Sequence, residues 1–486
     1  MHDLLLISDL HLGSHLKPRL RGEEVHLASR IEEEFPRFTD HHLEIARARG
    51  VGWQLVVNGD FIDFWNVVLD EREGETSEDL AVRRLHAVLD AHPAVEDSLA
   101  RFLEAGHGIA FVTGNHDAEL LYGGVRRAIV ERIEGAMSTD EGDASITRTG
   151  TVRLDMMRAG KIRFVRWFLR EPGGAWIEHG HKFDPSCATP AALSPTRGGA
   201  LVQTVAEVAT RSFANVMPEI DYDAPDKFST LDYARWALAR GWRFVIRVVL
   251  LYLRMVGRIL GLWVGAGRVD AEGQADHDAQ LGRIAANAGL QMSALAALEN
   301  MAPPPAATTV GGLVKLTALD HLLMLLGPVA LAVFAWLAGW ISLALGLVLA
   351  FAIGGAGVAF QRRGRQRRDV ARDMLNVAAG VGHATGVPLV LMGHSHHGQL
   401  ERRGEVVYAN SGSWLDGSHL YVERDPQTHR LVRVELRQWR NGGVRCLDAM
   451  TVVQPDEPVD TAAAVRADSA LESASEGDAS GAFVRT

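Results

Sequence analysis

Five short apolar runs in this chain end the same way, each followed at once by residues of the kind that bind metal ions. Leu4-Leu5-Leu6-Ile7-Ser8 leads into Asp9-Leu10-His11, and Gln54-Leu55-Val56-Val57 into Asn58-Gly59-Asp60. Ile109-Ala110-Phe111-Val112-Thr113 leads into Gly114-Asn115-His116-Asp117, and Ala175-Trp176-Ile177-Glu178 into His179-Gly180-His181. The fifth, Pro388-Leu389-Val390-Leu391-Met392, leads into Gly393-His394-Ser395-His396-His397. Short apolar runs bounded by turn residues read as buried strands, and a Gly beside the ligand lets the backbone bend sharply there. Ligands from five strand ends act together only if those ends share one edge of a sheet structure.

Amphipathic segments separate the strands. Helices are expected over 25–34 and 40–49, the second ended by Gly50, and over 77–105 with a break near Pro93 and a stop at Gly106. Further strands are expected over 151–157 and 162–168, and after the fifth tip over 406–409, 419–423 and 431–439. Strands alternating with helices point to a layered α/β core. At 486 residues the chain exceeds a usual single domain. It divides into a first core part (1–185), a helical insertion (186–386), a second core part (387–453) and a tail (454–486). The tail is rich in Ala, Ser, Asp and Glu, and its composition predicts disorder.

The insertion is unlike the rest. A helix is expected over 230–264, in which Arg240, Arg243, Arg247, Arg254 and Arg258 fall within an arc of ~60° at ~100° per residue. A basic stripe on a broad apolar helix suits an anionic membrane surface, or a helix that packs on its own domain and solvates its arginines. After Pro303-Pro304-Pro305, residues 322–360 carry no charge. Spanning helices need ~20 apolar residues, so a two-helix transmembrane hairpin is expected over 319–360, turning near Gly339-Trp340. The basic run Arg362-Arg363-Gly364-Arg365-Gln366-Arg367-Arg368 then places the catalytic domain on the cytoplasmic side of a membrane. Two distant cysteines, Cys187 and Cys446, agree with a reducing compartment, and the N-terminus shows no secretory signal. The net charge of −10 argues against a nucleic-acid partner.

The tips supply Asp9, His11, Asp60, Asn115, His179, His394 and His396. The set mixes oxygen and imidazole donors and lacks cysteine, which fits a closed structural zinc site poorly. It suits two divalent cations sharing a carboxylate, with Asp60 as the natural bridge. Such a pair, ~3.5–4 Å apart, clamps a phosphoryl group and activates a water. His116 projects beside the cations, with a near-neutral pKa suited to protonating a leaving oxygen, and Asp117 is placed to orient it. His181 and His397 read as structural histidines.

Asp9-x-His11, Gly59-Asp60, Gly114-Asn115-His116-Asp117, His179-Gly180 and Gly393-His394-x-His396 resemble, in order, the five signature motifs of the calcineurin-like metallophosphoesterase superfamily. The resemblance covers 1–185 and 386–440 and leaves out the insertion. It implies a four-layer α/β/β/α sandwich, here carrying an inserted helical membrane segment. It implies one cation on Asp9, His11, Asp60 and His396, and another on Asp60, Asn115, His179 and His394. His116 matches the family's histidine at the leaving group or phosphate. The donors admit manganese, iron, zinc or cobalt, with manganese favoured. Asp60-Phe61-Ile62-Asp63-Phe64-Trp65 is similar to the same stretch in UDP-2,3-diacylglucosamine pyrophosphohydrolase-like members, and it lacks the Asp-Arg-Gly of Ser/Thr protein phosphatases. Three readings stay open: a membrane-anchored phosphohydrolase acting on a phosphoester or pyrophosphate, lipid-linked or not; a phosphodiesterase for soluble nucleotides or nucleic acid, tethered to the membrane; and a non-catalytic membrane adaptor. The sequence leaves the oligomeric state open.

Overall fold

The structure, a computed structural model, describes residues 2–17, 22–69, 77–137, 161–217, 230–266, 268–316, 319–340, 342–364 and 370–452. The strand expected over 151–157, the tail over 454–486 and the basic residues 365–368 lie outside them.

Two sheets form the core. The chain runs through β1 (His2–Ile7), β2 (Gly52–Asn58), β3 (Gly108–Val112), β4 (Ile162–Val165), β5 (Phe168–Glu171), β6 (Ala175–Glu178) and a two-residue hairpin, β7 (Thr196–Arg197) and β8 (Ala200–Leu201). It resumes with β9 (Leu389–Met392), β10 (Gly398–Arg403), β11 (Val406–Ser411), β12 (Ser418–Arg424), β13 (Leu431–Arg440) and β14 (Gly443–Thr451). One sheet has the order β14-β13-β12-β1-β2-β3-β4, the other β10-β11-β9-β6-β5. β1 to β4 pair in parallel, as do β6, β9 and β11.

Side-chain alternation along these strands sets the layers. Leu5, Ile7, Leu55, Val57, Ile109 and Phe111 pack under the helices α1 (Gly22–Arg49), α2 (Glu78–Ala91), α3 (Pro93–Glu104) and α4 (Gly123–Ala136). Their neighbours Leu4, Leu6, Val56, Ala110 and Val112 point the other way, onto Ala175, Ile177, Leu389, Leu391, Val407 and Ala409 of the second sheet. Trp176, Val390, Met392 and Tyr408 alternate outward again, under the helix Val370–Thr385. A strand apolar on both faces is stable only between two layers, so the continuous apolar runs require this helix–sheet–sheet–helix stack.

Four local expectations are revised. The helices expected over 25–34 and 40–49 are one helix, α1, running through Pro36. Proline removes one backbone hydrogen bond, but Ile31, Phe35, Phe38 and Ala46 make one buried stripe that holds the helix continuous. Phe38 alone has the rings of Trp414, His419 and Trp439 at 5.8, 5.1 and 5.7 Å. The strand expected over 162–168 is two strands in different sheets, because the chain crosses at Arg166-Trp167. The helix expected over 230–264 breaks at Gly241, which takes a left-handed φ of 91°, into Thr230–Ala239 and Trp242–Gly261. Its second piece buries Val256, Ile259 and Leu262, while Trp242, Ile246, Leu250, Leu253 and Leu260 are exposed. Arg240 stacks on Trp236 and Arg247 donates to the Val216 carbonyl, so part of the arginine stripe is bound to its own domain.

The fourth revision concerns the hairpin. Helices Leu319–Leu337 and Leu343–Gly364 pack against one another, as expected, but among the described residues no helix is long and apolar enough to cross a membrane. Each loses apolar length at one end, to Asp320-His321 in the first and to Gln361-Arg362-Arg363 in the second, where a hydrocarbon core of ~30 Å needs ~20 apolar residues. In the described part of the pair every buried position is a small residue, and many large apolar residues are exposed. Ala332, Gly346, Ala350 and Gly354 are buried, whereas Leu331, Phe334, Leu337, Trp340, Val348 and Phe351 are exposed.

Phe38→Ala should destabilise the protein by about 3–5 kcal/mol, the usual loss for emptying a buried aromatic site. Urea unfolding would show this as a lower midpoint with an unchanged slope; a change under about 1 kcal/mol would contradict the continuous α1 stripe.

Candidate metal centre

Each loop with candidate ligands leaves the carboxyl end of a parallel strand, and several of those residues sit in a backbone conformation that side chains avoid. Asp9, His11, Asp60, His394 and His396 have φ values of 56°, 50°, 53°, 65° and 57°. Left-handed non-glycine residues cost about 1–3 kcal/mol each and cluster where a site is built rather than where a chain merely turns. The motif glycines make room. A Cβ on Gly59 would lie 2.3 Å from His179 Nδ1, and one on Gly114 2.2 Å from Asp60 Oδ1. Neither contact is tolerable without moving a ligand.

The side chains meet in two groups. Asp9, His11 and His396 form the first, with ligand atoms within 4.8 Å of one another. His396 Nε2 lies 3.1 Å from Asp9 Oδ1 and 3.4 Å from His11 Nε2. Asp60, His179 and His394 form the second, with His179 Nε2 3.3 Å from Asp60 Oδ2. His179 Nδ1 donates to the Asn58 carbonyl at 2.7 Å, which fixes the tautomer and turns Nε2 toward Asp60. Asp9 Oδ2 accepts from the Ser8 hydroxyl and the His394 backbone N–H, leaving Oδ1 to the cluster. Asp60, expected to bridge two cations, lies in the second group, and its charge also acts on His11 and Asp9 of the first.

The donors fit divalent cations. Asn115 Oδ1 is a buried side-chain atom with no hydrogen-bond partner among the described residues, while Asp9 Oδ1 and His179 Nε2, equally buried, have only the contacts to His396 and Asp60 given above. Leaving a buried polar atom unpaired costs about 1–3 kcal/mol, and a bound cation would satisfy Asn115 and engage the other two as well. Asn115 stays at this edge because the next residue, His116, donates its backbone N–H to Asp60 Oδ1 at 2.8 Å.

Charge is balanced by protons on histidine. Burial alone would raise the pKa of Asp9, but the neighbouring His396 and His179 bring it down to about 2. Burial disfavours a charged His179, yet Asp60 and Asp9 outweigh it and hold its pKa up at about 10. Burial and then His116 push His11 down to about 4, so its ring is a neutral, ready ligand.

His116 is brought to the site, but Asp117 does not orient it. The Asp117 carboxylate accepts backbone N–H groups from Gly114 at 2.6 Å and Phe61 at 2.8 Å, so it ties the second and third loops together. Asp63 takes the orienting role. Its Oδ1 is 2.9 Å from His116 Nδ1, Asn66 donates to its Oδ2, and Trp65 stacks on the His116 ring at 3.8 Å. Burial works against a charged His116, but Asp63 and Asp60 raise its pKa to about 9. Reading the sequence for ligands at strand tips missed Asp63. The available signal was a carboxylate three residues past Asp60 among apolar Phe61, Ile62 and Phe64. His181 is half-buried beside His179, at 5.6 Å between rings, and His397 is exposed. A cavity of about 30 Å³ beside Asn115, lined by Trp65, Arg166, His181 and Cys187, has room for a water rather than a substrate.

These features define a two-sheet α/β protein with a buried, convergent carboxylate–histidine cluster. No protein-family profile matches the chain, and no curated protein matches it. Among solved structures it is similar to wild-type Vps29 complexed with zinc from Entamoeba histolytica, at 17% identity and a TM-score of 0.14, over 16% of this chain and 47% of that one. It is also similar to phosphopantetheinyl hydrolase from Mycobacterium tuberculosis, at 14% identity and a TM-score of 0.23, over 88% of this chain and 95% of that one. The chain thus spans under half of that Vps29, and likenesses this distant carry no argument about activity.

Cation binding should release protons, because His179 and His396 hold them until a cation displaces them. Apparent affinity should therefore rise between pH 6 and 9, by up to about tenfold per pH unit for each proton displaced. Calorimetry in two buffers of different ionisation enthalpy measures the release; identical heats in both would contradict the protonated-histidine description. In cation-free protein, Asp63→Asn should lower the His116 pKa from about 9, read by NMR titration.

Proposed function

We propose that this chain is a dinuclear metal-dependent phosphohydrolase of the calcineurin-like metallophosphoesterase type. It would cleave a phosphoester or pyrophosphate bond at a membrane surface. One observation carries the reading: loops from two sheets bring together two carboxylate–histidine groups, with the unpaired Asn115 Oδ1 and an Asp63–His116 pair supplied by the neighbouring loops. The motif order supports the same class. We assign one cation to Asp9, His11, Asp60 and His396 and the other to Asp60, Asn115, His179 and His394, with manganese preferred for mixed oxygen and nitrogen donors. When bound, the cations would supply Lewis-acid polarisation of the phosphoryl oxygens and an activated water. His116, protonated at neutral pH with Nδ1 engaged by Asp63, has Nε2 left to give a proton to the leaving oxygen. Trp65 holds the ring plane, and Asp117 holds the two loops that carry Asp60 and His116.

The membrane part of the proposal rests on the hairpin. In water, two paired helices bury their large apolar residues between them; among the described side chains of this pair the buried positions are Ala332, Gly346, Ala350 and Gly354, while Leu331, Phe334, Leu337, Trp340 and Phe351 are exposed. Close packing through small residues is the habit of helices in lipid. Both polar ends of the hairpin lie away from the Trp336–Trp340 turn. It would therefore enter one leaflet tip first and return without crossing. Arg362, Arg363 and the basic residues after them would meet the anionic headgroups of the cytoplasmic leaflet. A lipid-linked substrate would then present its phosphate in water while its chains stay in the bilayer.

Asp60→Asn should reduce hydrolysis at least ~100-fold, since losing even an outer partner of a ligand costs 10–100-fold. The assay is a panel of a nitrophenyl monoester, its diester, a nucleotide-sugar pyrophosphate and a UDP-linked lipid, with added manganese. Retained activity on all four would exclude the dinuclear mechanism, and preference for the soluble diester would reduce the hairpin to a tether. Replacing 322–360 with a short Gly/Ser linker should abolish co-sedimentation with anionic vesicles; unchanged sedimentation would exclude the hairpin as anchor.

A further inference from the structure

Beyond the seven expected ligands and Asp63, a half-buried carboxylate faces the cluster from the turn that leads into the insertion. After His179, Gly180 adopts a left-handed φ of 104° and the chain makes a tight turn over His181–Phe183. Asp184 is thereby carried back toward the fifth loop, and its Oδ2 lies 3.5 Å from His394 Nε2. The other oxygen is fully engaged. Asp184 Oδ1 accepts the Ser186 backbone N–H at 2.9 Å and the Ser186 hydroxyl at 2.8 Å. The turn is itself closed by Cys187 and Ala188 N–H groups on the Asp184 carbonyl, at 3.0 and 2.9 Å. The carboxylate is thus aimed at one nitrogen of a histidine whose ring also sits 5.3 Å from that of His179.

The two histidines of this group are steadied differently. His179 Nδ1 is held by a backbone carbonyl, that of Asn58. Among the described residues no backbone carbonyl holds the His394 ring; the Asp184 carboxylate faces it, and its backbone N–H donates to Asp9. A ligating imidazole whose second nitrogen faces a carboxylate is fixed in orientation and tautomer and is the more basic ligand for it.

We propose that Asp184 is the positioning residue for His394, holding Nε2 so that Nδ1 is directed at the second cation. The turn that leads into the insertion, braced by Ser186 at the insertion's first position, thereby helps set the affinity of that site. The inference rests on the reading that Asp60, Asn115, His179 and His394 bind a cation. Asp184, Cys187 and His394 are also close enough together to hold a cation by themselves, which makes a competing prediction.

The test is cobalt(II) titration of the full-length chain, followed by calorimetry and by visible and near-ultraviolet absorption. It compares wild type with Asp184→Asn, the milder Ser186→Ala, His394→Ala and the Asp184→Asn/His394→Ala double variant. Wild type should bind two equivalents. Asp184→Asn should weaken one of them by ~10–100-fold and leave the other unchanged. Ser186→Ala should weaken the same equivalent by less, which keeps the test decisive if Asp184→Asn fails to fold. In the His394→Ala background, Asp184→Asn should add nothing, because a residue acting only through His394 has no separate effect. Unchanged affinity in both single loop variants, equal loss at both positions, or additive losses in the double variant would overturn the proposal. A third equivalent with a thiolate-to-cobalt band near the ultraviolet would overturn it in favour of a Cys187-containing site. Wild type binding no cobalt would instead overturn the underlying dinuclear reading.

Discussion

Parallel pairing fixes the direction in which the ligand loops leave the two sheets. β1, β2 and β3 run together in one sheet and β6, β9 and β11 in the other, so all five loops emerge at strand carboxyl ends. The apolar layer between the sheets holds those ends at one level, and hydrogen bonds across the gap fix their register. Asn58 donates to the Glu178 carbonyl at 3.0 Å, and within the second sheet the Gly393 N–H reaches the His179 carbonyl at the same distance. Ser8 bonds to Ser411 and to the Gly412 carbonyl. Left-handed backbone at five ligand residues persists because this frame over-determines it.

The same frame explains the division of work among the carboxylates. Asp117 is fully buried, with both oxygens on backbone N–H groups, and serves the loops. Asp63 faces a ring, and Asp9 and Asp60 keep one oxygen for the backbone and turn the other inward. Which residue orients His116 follows from where its oxygens point, and adjacency in sequence misleads. Asp117 is next to His116 in the chain, but the turn sends its side chain the other way.

Much of this was legible in the sequence, for a physical reason. A strand buried on both faces must be apolar throughout, so a ligand at its end stands out sharply, as Asp60 does after Leu55-Val56-Val57. Contacts formed between distant segments leave no such local mark. Nothing in 162–168 announces that Val165 and Phe168 belong to different sheets, and nothing near Pro36 announces that Phe35 and Phe38 will share a pocket with Trp414. Asp184 was hidden in the same way, since its meaning depends on His394, more than two hundred residues away. The hairpin reads as apolar from composition alone, but only the packing shows that its buried positions among the described residues, Ala332, Gly346, Ala350 and Gly354, are all small.

The position of β1 has a consequence for how the chain is made. β1 lies between β2, soon after it in sequence, and β12, with Leu4 opposite Val422 and Leu6 opposite Leu420. On a ribosome adding roughly 5–20 residues per second, roughly 20–80 s separate synthesis of the two partners. Throughout that interval one edge of β1 is open, and the Asp9 loop lacks the Ser411–Ser413 contacts that hold it. The nascent chain therefore carries an unfinished sheet edge and a half-built site while the apolar hairpin is being synthesised. Shielding of that edge during elongation becomes part of what the sequence requires of its cell.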